Sequence, residues 1–507
     1  MTDSGTPGIA RRTLKNSAFG ILGFAWPLVI ALFTTPFIVH KLGADLYGVL
    51  SIVGVTLGLF GFLDFGIGGA ATRQIATYYE REEYGDVGRV VSTVLAFYLA
   101  IGAIVGILVL LSTNVIVAQY LGIPVAFQQA ARVAFYVAAP SFASSLVIGA
   151  FLSVPSALQR YDISSTVQLA LTTFNAVMTV LLLSLGYGIV AVMLAGLIVN
   201  VVMLPVGFLV ARRLVPSIVL RPVWDVALMR ELFRFGGYFL LSSIGVLVLY
   251  QVDKLMIGHF LGVGAVTYYV LPGNLAQKIQ GLVAAAAAVV FPMSAALFAS
   301  DQHDTLLRLY REGSRVAFIA VAMIAIPMAV FADKFLRFWV GPEIAAHSAV
   351  PMVLLVVTYS LLALTSVPWG IANGSGKAQI NAFFTLAIAA ADIALFLVLI
   401  RPFGVTGAAA AYLISAAVGV PALISFTERR LLHLSGVEFL KIAWRVAVVA
   451  AIQCAIAYLA RPLAVNLLST VGLMAVSAAS FVLVYAVLGF AQEGDRRLVS
   501  LLVSRFR

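Results

Sequence analysis

Long apolar runs alternate with short polar segments from about residue 17 to residue 490. A helix needs about 20 predominantly apolar residues to cross a bilayer, so this pattern predicts about fourteen spans. Because the bilayer core holds no water to satisfy backbone groups, runs of this length should be helices rather than barrel strands. The predicted fold class is therefore an all-α integral membrane protein. The predicted spans are centred near Trp26, Gly58, Gly102, Phe142, Asn175, Ala195, Gly245, Gly281, Val321, Tyr359, Ile388, Ser415, Ala450 and Ala478.

An internal repeat is indicated by glycines that lie at matching places between spans. "HKLGADLYGVL" follows span one and "HFLGVGAVTYYVL" follows span seven, which places Gly43 and Gly262 219 residues apart. Two further pairs, 219 and 216 residues apart, are Gly122 with Gly341 and Gly188 with Gly404. Three landmarks in one order favour a duplicated six-helix unit over chance. Since six is even, the two copies share one orientation, an architecture that transporters use.

The repeat predicts two pseudo-symmetric six-helix lobes followed by two further helices. The expected ranges are a cytoplasmic N-terminus at 1–16, an N-lobe at 17–212, a cytoplasmic inter-lobe loop at 213–231, a C-lobe at 232–428, spans thirteen and fourteen at 437–490, and a cytoplasmic tail at 491–507.

Composition and charge fit a membrane protein. Hydrophobic residues make up 62% of the chain and charged residues 10%, and the mean hydropathy is +1.06. The net charge of +11 is spread over short segments between the spans, which argues against nucleic-acid binding. Of the 32 lysines and arginines, 24 fall on one side of the predicted membrane and 6 on the other, so both termini should be cytoplasmic. The first apolar run continues to Val39 without a cleavage site, which indicates an uncleaved span.

Motifs for enzymatic chemistry fail in their context. "DFGIGGAATR" at 64–73 has the glycine spacing of a dinucleotide loop, but it lies in an apolar run from Val49 to Ala76 with no strand before it. "GSGK" at 374–377 lacks the first glycine and the final Ser or Thr of a phosphate loop. Cys454 has no partner, and the five histidines show no ligand spacing. We therefore expect no catalytic residues, no cofactor and no metal site.

Polar residues within the spans are the remaining chemical signal. Asn274, Gln277 and Lys278 form one face of span eight, and Pro272 directly before them suggests a helix break. Lys278 in span eight and Asp64 in span two would each cost a few kcal/mol if they faced lipid. Both should therefore line a cavity, or form a structural ion pair with each other.

Three further spans carry polar faces. Asp253 and Lys254 lie near the outer end of span seven, where they could snorkel to the interface. Asp392 lies on a polar face of span eleven. The uncharged stripe of span five is interpreted as helix packing; its residues are Gln168, Thr172, Asn175 and Thr179.

Four segments carry a resemblance to a known family. "LGADLYGVLSIVGVTLGLFGFLDFGIGGAATRQIA", "DKLMIGHFLGVGAVTYYVL", "FPMSAALFASDQHDTLLRLYREGSR" and "FGVTGAAAAYLIS" together resemble the polysaccharide transporter family, the Wzx-type flippases of O-antigen and exopolysaccharide repeat units. That family belongs to the multidrug/oligosaccharidyl-lipid/polysaccharide exporter superfamily. The likeness covers spans one to twelve. It implies two six-helix lobes around a central cavity lined largely by spans one, two, seven and eight, with two extra C-terminal helices.

The resemblance also implies the cargo, an oligosaccharide on a polyprenyl diphosphate. By position it reaches Asp64, Gly66 and Arg73 in span two, and Asp253 and Lys254 in span seven. The expected substrate-binding residues are Lys278, Arg73, Lys15, Asn274, Gln277 and Lys254, in which the cations attract the diphosphate and the amides contact sugar. The candidates for ion coupling are Asp64, Asp253 and Asp392. Membrane lipid and a polysaccharide polymerase are the other expected partners, and a bacterial inner membrane is the expected location.

Other functions remain open at this point. A lipid II flippase differs from the first interpretation only in its glycan. A drug/cation antiporter of the same superfamily should place acids rather than Lys278 in the cavity. A membrane polymerase or ligase should have a large charged outer loop, but the longest outer gap, 112–129, holds no charge. A purely structural scaffold would not need Lys278 within a span.

Overall fold

The apolar runs form helices almost without exception. The computed structural model describes residues 6–219 and 221–490, with side chains described from residue 26 onward except at 220, 235–244, 246 and 248. This part of the chain contains seventeen α-helices and no strand. They are α1 Thr6–Phe60, α2 Ile67–Glu80, α3 Tyr84–Asn114, α4 Val125–Ala157, α5 Tyr161–Ser184, α6 Gly188–Leu214, α7 Val226–Leu247, α8 Asp253–Leu261, α9 Val263–Ala287, α10 Val290–Ala299, α11 His303–Val330, α12 Ala332–Val340, α13 Pro342–Leu364, α14 Ser366–Gly374, α15 Ala378–Leu431, α16 Glu438–Ala460 and α17 Leu467–Val487.

The described helices are those of a multi-pass membrane protein. Eleven helical segments within the described ranges are long and apolar enough to cross a bilayer. Two of them, Trp26–Asp64 and Ala378–Leu431, are each divided by one non-helical glycine, Gly43 and Gly404. Those glycines lie between predicted spans one and two and between spans eleven and twelve. The all-α membrane class is confirmed, and the number fourteen stays a prediction.

The glycines that indicated a repeat have matching backbone conformations. Gly43 has φ 75° and ψ 174°, and Gly262 has φ 88° and ψ 166°. A positive φ is easily reached only by glycine, so each residue permits a sharp change of direction between two helices. The other two pairs also have positive φ, at Gly122, Gly341, Gly188 and Gly404. These shared breaks support the duplication.

The chain divides into two compact units between Thr267 and Tyr268. In the first unit α7 packs against α2 and α3, and α8 packs against α1. This division lies after the predicted inter-lobe loop at 213–231, because the two helices that follow that loop pack with the first six spans. The predicted domain ranges remain predictions. Neither 1–5 nor 491–507 lies within the described residues.

Close backbone contact fixes the start of α9 in the first unit. A Cβ atom added to Gly48 would lie 1.8 Å from the carbonyl oxygen of Val263, so α1 and α9 touch through their backbones. The Thr267 hydroxyl donates a hydrogen bond of 2.6 Å to the Ala44 carbonyl. A larger residue at position 48 would separate these two helices.

The segment before α7 is held by a charged cap. Asp225 accepts a hydrogen bond of 3.0 Å from the N–H of Leu228 and another of 2.5 Å from the Arg89 guanidinium. The Leu228 N–H and, after it, Arg89 hold the pKa of Asp225 below its ordinary value. A depressed carboxyl pKa means that this contact stabilises the fold above the ordinary pKa and is lost in acid.

A fully buried carboxylate joins three helices of the second unit. Glu428, near the end of α15, is 0% exposed. Its Oε1 accepts a hydrogen bond of 2.5 Å from the Tyr310 hydroxyl of α11 and one of 2.7 Å from the N–H of Phe439. Its Oε2 accepts a hydrogen bond of 2.9 Å from the N–H of Glu438. The last two groups are the first N–H donors of α16, which have no partner within their own helix. Glu428 therefore fastens the beginning of α16 to α15 and α11.

Candidate functional site

The "DFGIGGAATR" stretch begins at a break in the second span. A 3₁₀ turn covers Gly61–Asp64. The next two residues, Phe65 and Gly66, have left-handed φ values of 50° and 71°, and α2 then starts at Ile67. Span two therefore bends at Phe65 and Gly66. A continuous helix from Val49 to Ala76 is excluded, and α2 is a separate fourteen-residue helix.

Asp64 lies at this break, where its carboxylate is hydrogen-bonded. The Tyr98 hydroxyl donates to Asp64 Oδ1 at 2.5 Å, and the N–H of Gly68 donates to the same oxygen at 3.3 Å. A negative charge at the first turn of α2 also interacts favourably with the helix dipole. Asp64 is half-buried. Sequence reasoning identified the acid but missed Tyr98, which is 34 residues away and on another helix.

Phe65 stabilises the break. Its ring packs edge-on against Phe233 of α7, with centroids 5.6 Å apart, and lies 6.4 Å from Phe97 of α3. Phe97 and Phe233 are themselves 5.5 Å apart. These three aromatic rings, one from the break and one each from α3 and α7, contribute both buried area and favourable edge-to-face geometry. The unusual backbone at Phe65 is therefore held by packing on both sides.

A basic cavity of about 650 Å³ lies between α2 and α7. Arg73 and Arg81 come from α2 and Arg234 from α7, and Glu231 is the one acid among the lining residues. Gln74 donates to Glu231 at 3.3 Å, which links the two helices. The full lining is Ala70, Arg73, Gln74, Thr77, Tyr78, Arg81, Glu231, Leu232 and Arg234.

The spacing on α2 explains this surface. Its cavity residues recur every three or four positions, so they form one face of the helix. Sequence reasoning identified Arg73 as a site residue. Arg81 and Arg234 were counted only as cations at the predicted cytoplasmic ends. The resemblance places spans two and seven around one cavity, but it does not show which of their side chains face it. Guanidinium groups present planar pairs of donors that match phosphate oxygens, so three of them suit a phosphate-bearing ligand.

Asp253 and Lys254 lie after an irregular turn in span seven. A π-helical turn covers Val248–Val252, and such turns are frequent at functional sites. Asp253 is buried and accepts a hydrogen bond of 2.8 Å from the N–H of Lys254. The Lys254 ammonium donates to Gln251 Oε1 at 3.2 Å.

The polar stripe of span eight lies on α9, in the second unit. Asn274 and Lys278 are exposed and Gln277 is half-buried, while Ile279 packs inside the unit. The suggested helix break at Pro272 is wrong, because α9 is helical from Val263 to Ala287. The polar stripe therefore consists of side chains, without backbone groups exposed by a helix break.

Two predicted residues lie apart from these groups. Asp392 is buried in α15, with 5% of its surface exposed. Asn381, on the same helix, donates hydrogen bonds to the Trp369 carbonyl and to Asn373 Oδ1. Lys15 precedes residue 26, so its side chain lies outside the described residues. Within the described part of the chain, no cluster of three or more His, Cys, Asp or Glu is placed to hold a metal ion.

A second cavity of about 550 Å³ lies within the first unit. The interpretation of the span-five stripe as helix packing is wrong here, because all four of its residues line this cavity, together with Thr34 and Asn200. The lining contains amides and hydroxyls but no charged residue. A spacing pattern cannot distinguish these outcomes, because a polar face avoids lipid equally well against a neighbouring helix or a cavity.

The comparison with protein families identifies the chain. Residues 13–298 match the family described as "Polysaccharide biosynthesis protein". The chain belongs to this family. The matched part contains the whole basic cavity, the break at Asp64 and the polar stripe of α9.

Relatives of this chain include two bacterial proteins. The "Uncharacterized membrane protein EpsK" of Bacillus subtilis is 23% identical over 412 residues, 79% of this chain and 80% of that protein. A Shigella flexneri protein named "Putative O-antigen transporter" is 22% identical over 404 residues, 78% of this chain and 93% of that protein.

Solved structures with the same fold are membrane transporters. The lipid II flippase MurJ, in an inward closed conformation, has a TM-score of 0.68 at 14% identity and covers 93% of this chain and 99% of its own. An inward-facing MATE family multidrug resistance transporter of the MOP superfamily has a TM-score of 0.64 at 18% identity. The match covers 83% of this chain and 99% of that transporter. At these identities the likeness shows the fold alone. This chain therefore shares its fold with these membrane transporters.

Proposed function

We propose that this protein is a flippase that moves polyprenyl-diphosphate-linked oligosaccharide repeat units from the inner to the outer leaflet by alternating access, for surface polysaccharide biosynthesis. The observation that carries the proposal is the cavity between α2 and α7, where Arg73, Arg81 and Arg234 converge. Its location at the predicted cytoplasmic end of span two is where a cargo made in the cytoplasm would arrive. The family and the Shigella flexneri relative support transport for polysaccharide biosynthesis.

The chemistry of the cargo explains the choice of residues. A diphosphate cannot cross hydrocarbon unaided, so it needs cations in a wet cavity while its polyprenyl tail stays in lipid. Arg73, with Lys15 at the inner mouth, would receive the diphosphate, and Lys278 would bind it deeper in the membrane. Asn274 and Gln277 would contact sugar hydroxyls. Lys254 is a weaker candidate because its ammonium group already bonds Gln251.

Asp64 is the first candidate for ion coupling, with Asp253 and Asp392 as the others. In Asp64→Asn the amide oxygen can still accept from Tyr98 and Gly68, so the helix cap is kept while the charge is removed. We expect transport by this variant to lose its dependence on a proton or Na⁺ gradient, with a thermal midpoint close to that of the wild type. Tyr98→Phe, which keeps the acid, serves as the control. Unchanged gradient dependence in Asp64→Asn would exclude coupling through this residue.

Two alternatives remain within transport. A lipid II flippase would use the same arginines, because its cargo also carries a diphosphate. A drug/cation antiporter would need acids to dominate its substrate site, whereas the basic cavity holds three arginines and one glutamate. The lipid II flippase therefore differs from the proposed function in the glycan of its cargo, and the drug/cation antiporter differs in the charge of its ligand.

Mass spectrometry of lipids that co-purify with the protein tests the proposal. The expected result is a polyprenyl-diphosphate glycan from the native host, lost from a variant with Arg73→Gln and Arg234→Gln. A glycan that carries a stem peptide would favour the lipid II alternative. Absence of any diphosphate lipid, together with saturable binding of cationic drugs, would overturn the proposal.

The orientation and location follow from the proposed transport direction. Both termini would be cytoplasmic and the protein would lie in the bacterial inner membrane, as the distribution of cations predicts. A polysaccharide polymerase that uses the flipped unit is the proposed partner on the outer side.

A further inference from the structure

A second basic cavity, separate from the proposed cargo site, lies in the second unit between the start of α11 and the start of α16. Its volume is about 280 Å³. Both helices begin here at the predicted cytoplasmic ends of their spans. The lining residues are Arg308, Arg311, Glu312, Arg315, Lys441, Ile442, Trp444 and Arg445.

The charges of this cavity leave an excess of cations. The Glu438 carboxylate, at the start of α16, forms ion pairs of 3.1 Å with both Arg311 and Lys441. It therefore links α11 to α16 and offsets part of the charge of these two cations. Glu312 is the other acid beside the cavity. Arg315 has a further interaction of its own and is left out of the charge balance. The other four lining cations, Arg308, Arg311, Lys441 and Arg445, still outnumber the two carboxylates, so these side chains carry a net positive charge that favours an anion.

Aromatic contacts orient one of these cations. The Arg445 guanidinium lies 5.4 Å from the ring centre of Trp444 and 5.7 Å from that of Phe490. Stacking on a ring leaves the in-plane N–H donors of arginine available for an anion. Trp444 is 50% exposed, and tryptophan is enriched where hydrocarbon meets the lipid headgroups. Trp444 therefore favours a position of this cavity at headgroup depth.

An apolar track continues from the cavity along α16. Val448, Ile452 and Ile456 follow Trp444 at intervals of four residues, and they are 43%, 37% and 37% exposed. Residues four apart lie on one face of a helix, so this face leads from the cations into the hydrocarbon. A phosphate-binding cavity above an exposed apolar track matches the two halves of a phospholipid.

We infer that this cavity binds the phosphate headgroup of an anionic membrane phospholipid whose acyl chains lie along α16. Basic pockets between spanning helices on the cytoplasmic side are suited to such headgroups. A soluble phosphate compound would satisfy the arginines but would make no use of the apolar track.

Native mass spectrometry of the purified full-length protein tests this inference, with dioleoylphosphatidylglycerol and dioleoylphosphatidylcholine as probes. The test variant is Arg308→Gln with Arg445→Gln. We expect its affinity for phosphatidylglycerol to fall about tenfold or more, because two cations near the headgroup are lost. Arg212→Gln is the matched control, since Arg212 stacks on Phe208 at 5.9 Å at the end of another helix and lines neither basic cavity. Its affinity should equal that of the wild type.

Three results would overturn the inference. The first is equal binding of phosphatidylglycerol by the double variant and the wild type, and the second is equal binding of the two lipids by the wild type. The third is displacement of phosphatidylglycerol by inorganic phosphate at about 10 mM, because a free phosphate compound that was the true ligand would compete at this concentration. If the double variant does not purify as a folded protein, Arg445→Gln alone is measured, with a smaller loss expected.

Discussion

Replacing Arg73 and Arg234 together by glutamine should reduce transport of the lipid-linked glycan at least a hundredfold. Each charge-assisted hydrogen bond to a phosphate is worth about 1.5 to 3 kcal/mol, so loss of two removes about 3 to 6 kcal/mol of cargo binding. Glutamine retains polarity and much of the side-chain length, so the walls of the 650 Å³ cavity should persist. The measurement is the rate at which a fluorescent polyprenyl-diphosphate glycan crosses the bilayer of reconstituted vesicles.

The matched control for this double variant is Arg160→Gln. Arg160 pairs with Asp162 at 3.0 Å in the connection between α4 and α5, so it is another arginine at a predicted cytoplasmic helix end that does not line the basic cavity. Transport by the control should be close to that of the wild type. A double variant that expresses normally and transports at the wild-type rate would contradict the role proposed for the cavity. Lys278→Ala tests the deeper cation in the same assay.

Glu428→Ala should produce the largest loss of stability among single substitutions in the second unit. It leaves two N–H groups of α16 and the Tyr310 hydroxyl without their buried acceptor. A buried donor left without an acceptor costs about 1 to 3 kcal/mol, so loss of the acceptor that these three donors share should cost about 3 to 5 kcal/mol, near the lower end of their sum. For a unit of this size that corresponds to a fall in thermal midpoint of about 6 to 20 °C. Thermal unfolding in detergent, followed by intrinsic fluorescence, measures the change.

Two other substitutions separate the contributions to this network. Tyr310→Phe removes only one donor, so it should cost less than Glu428→Ala. Glu343→Ala removes an exposed glutamate from the first turn of α13 and should change the midpoint little. Equal midpoints for Glu428→Ala and Glu343→Ala would show that the buried carboxylate contributes nothing to the attachment of α16.

The sequence was informative where a physical constraint acts locally. The length of the apolar runs predicted the helices, because a spanning segment has a minimum length. Gly43 and Gly262 marked equivalent helix boundaries, because a positive φ is accessible to few other residues. Each of these inferences needs only one stretch of chain.

The sequence was less informative where distant segments meet. Arg81 and Arg234 looked like ordinary cytoplasmic cations, since only the packing of α2 against α7 makes them one surface. Tyr98 carried no signal as a partner of Asp64. Glu428 stands beside Arg429 and Arg430 at the end of span twelve, which resembles a solvated helix end. Its burial depends on the position of α16, which no pattern within α15 reveals.

The short length of α2 has a mechanical consequence. Asp64 accepts a hydrogen bond from the N–H of Gly68 in the first turn of this helix, and Arg73 lies five residues beyond Gly68, about 7.5 Å further along the helix axis at the helical rise. The break at Phe65 and Gly66 separates α2 from the preceding part of the span, so a rotation at this break would move α2 as one rigid segment. Such a rotation would carry the Arg73 face of the helix with it, while the hydrogen bond from the Gly68 N–H keeps the first turn at Asp64. The proposed cargo-binding arginine face of α2 would therefore change position as one body relative to the proposed coupling acid at the break.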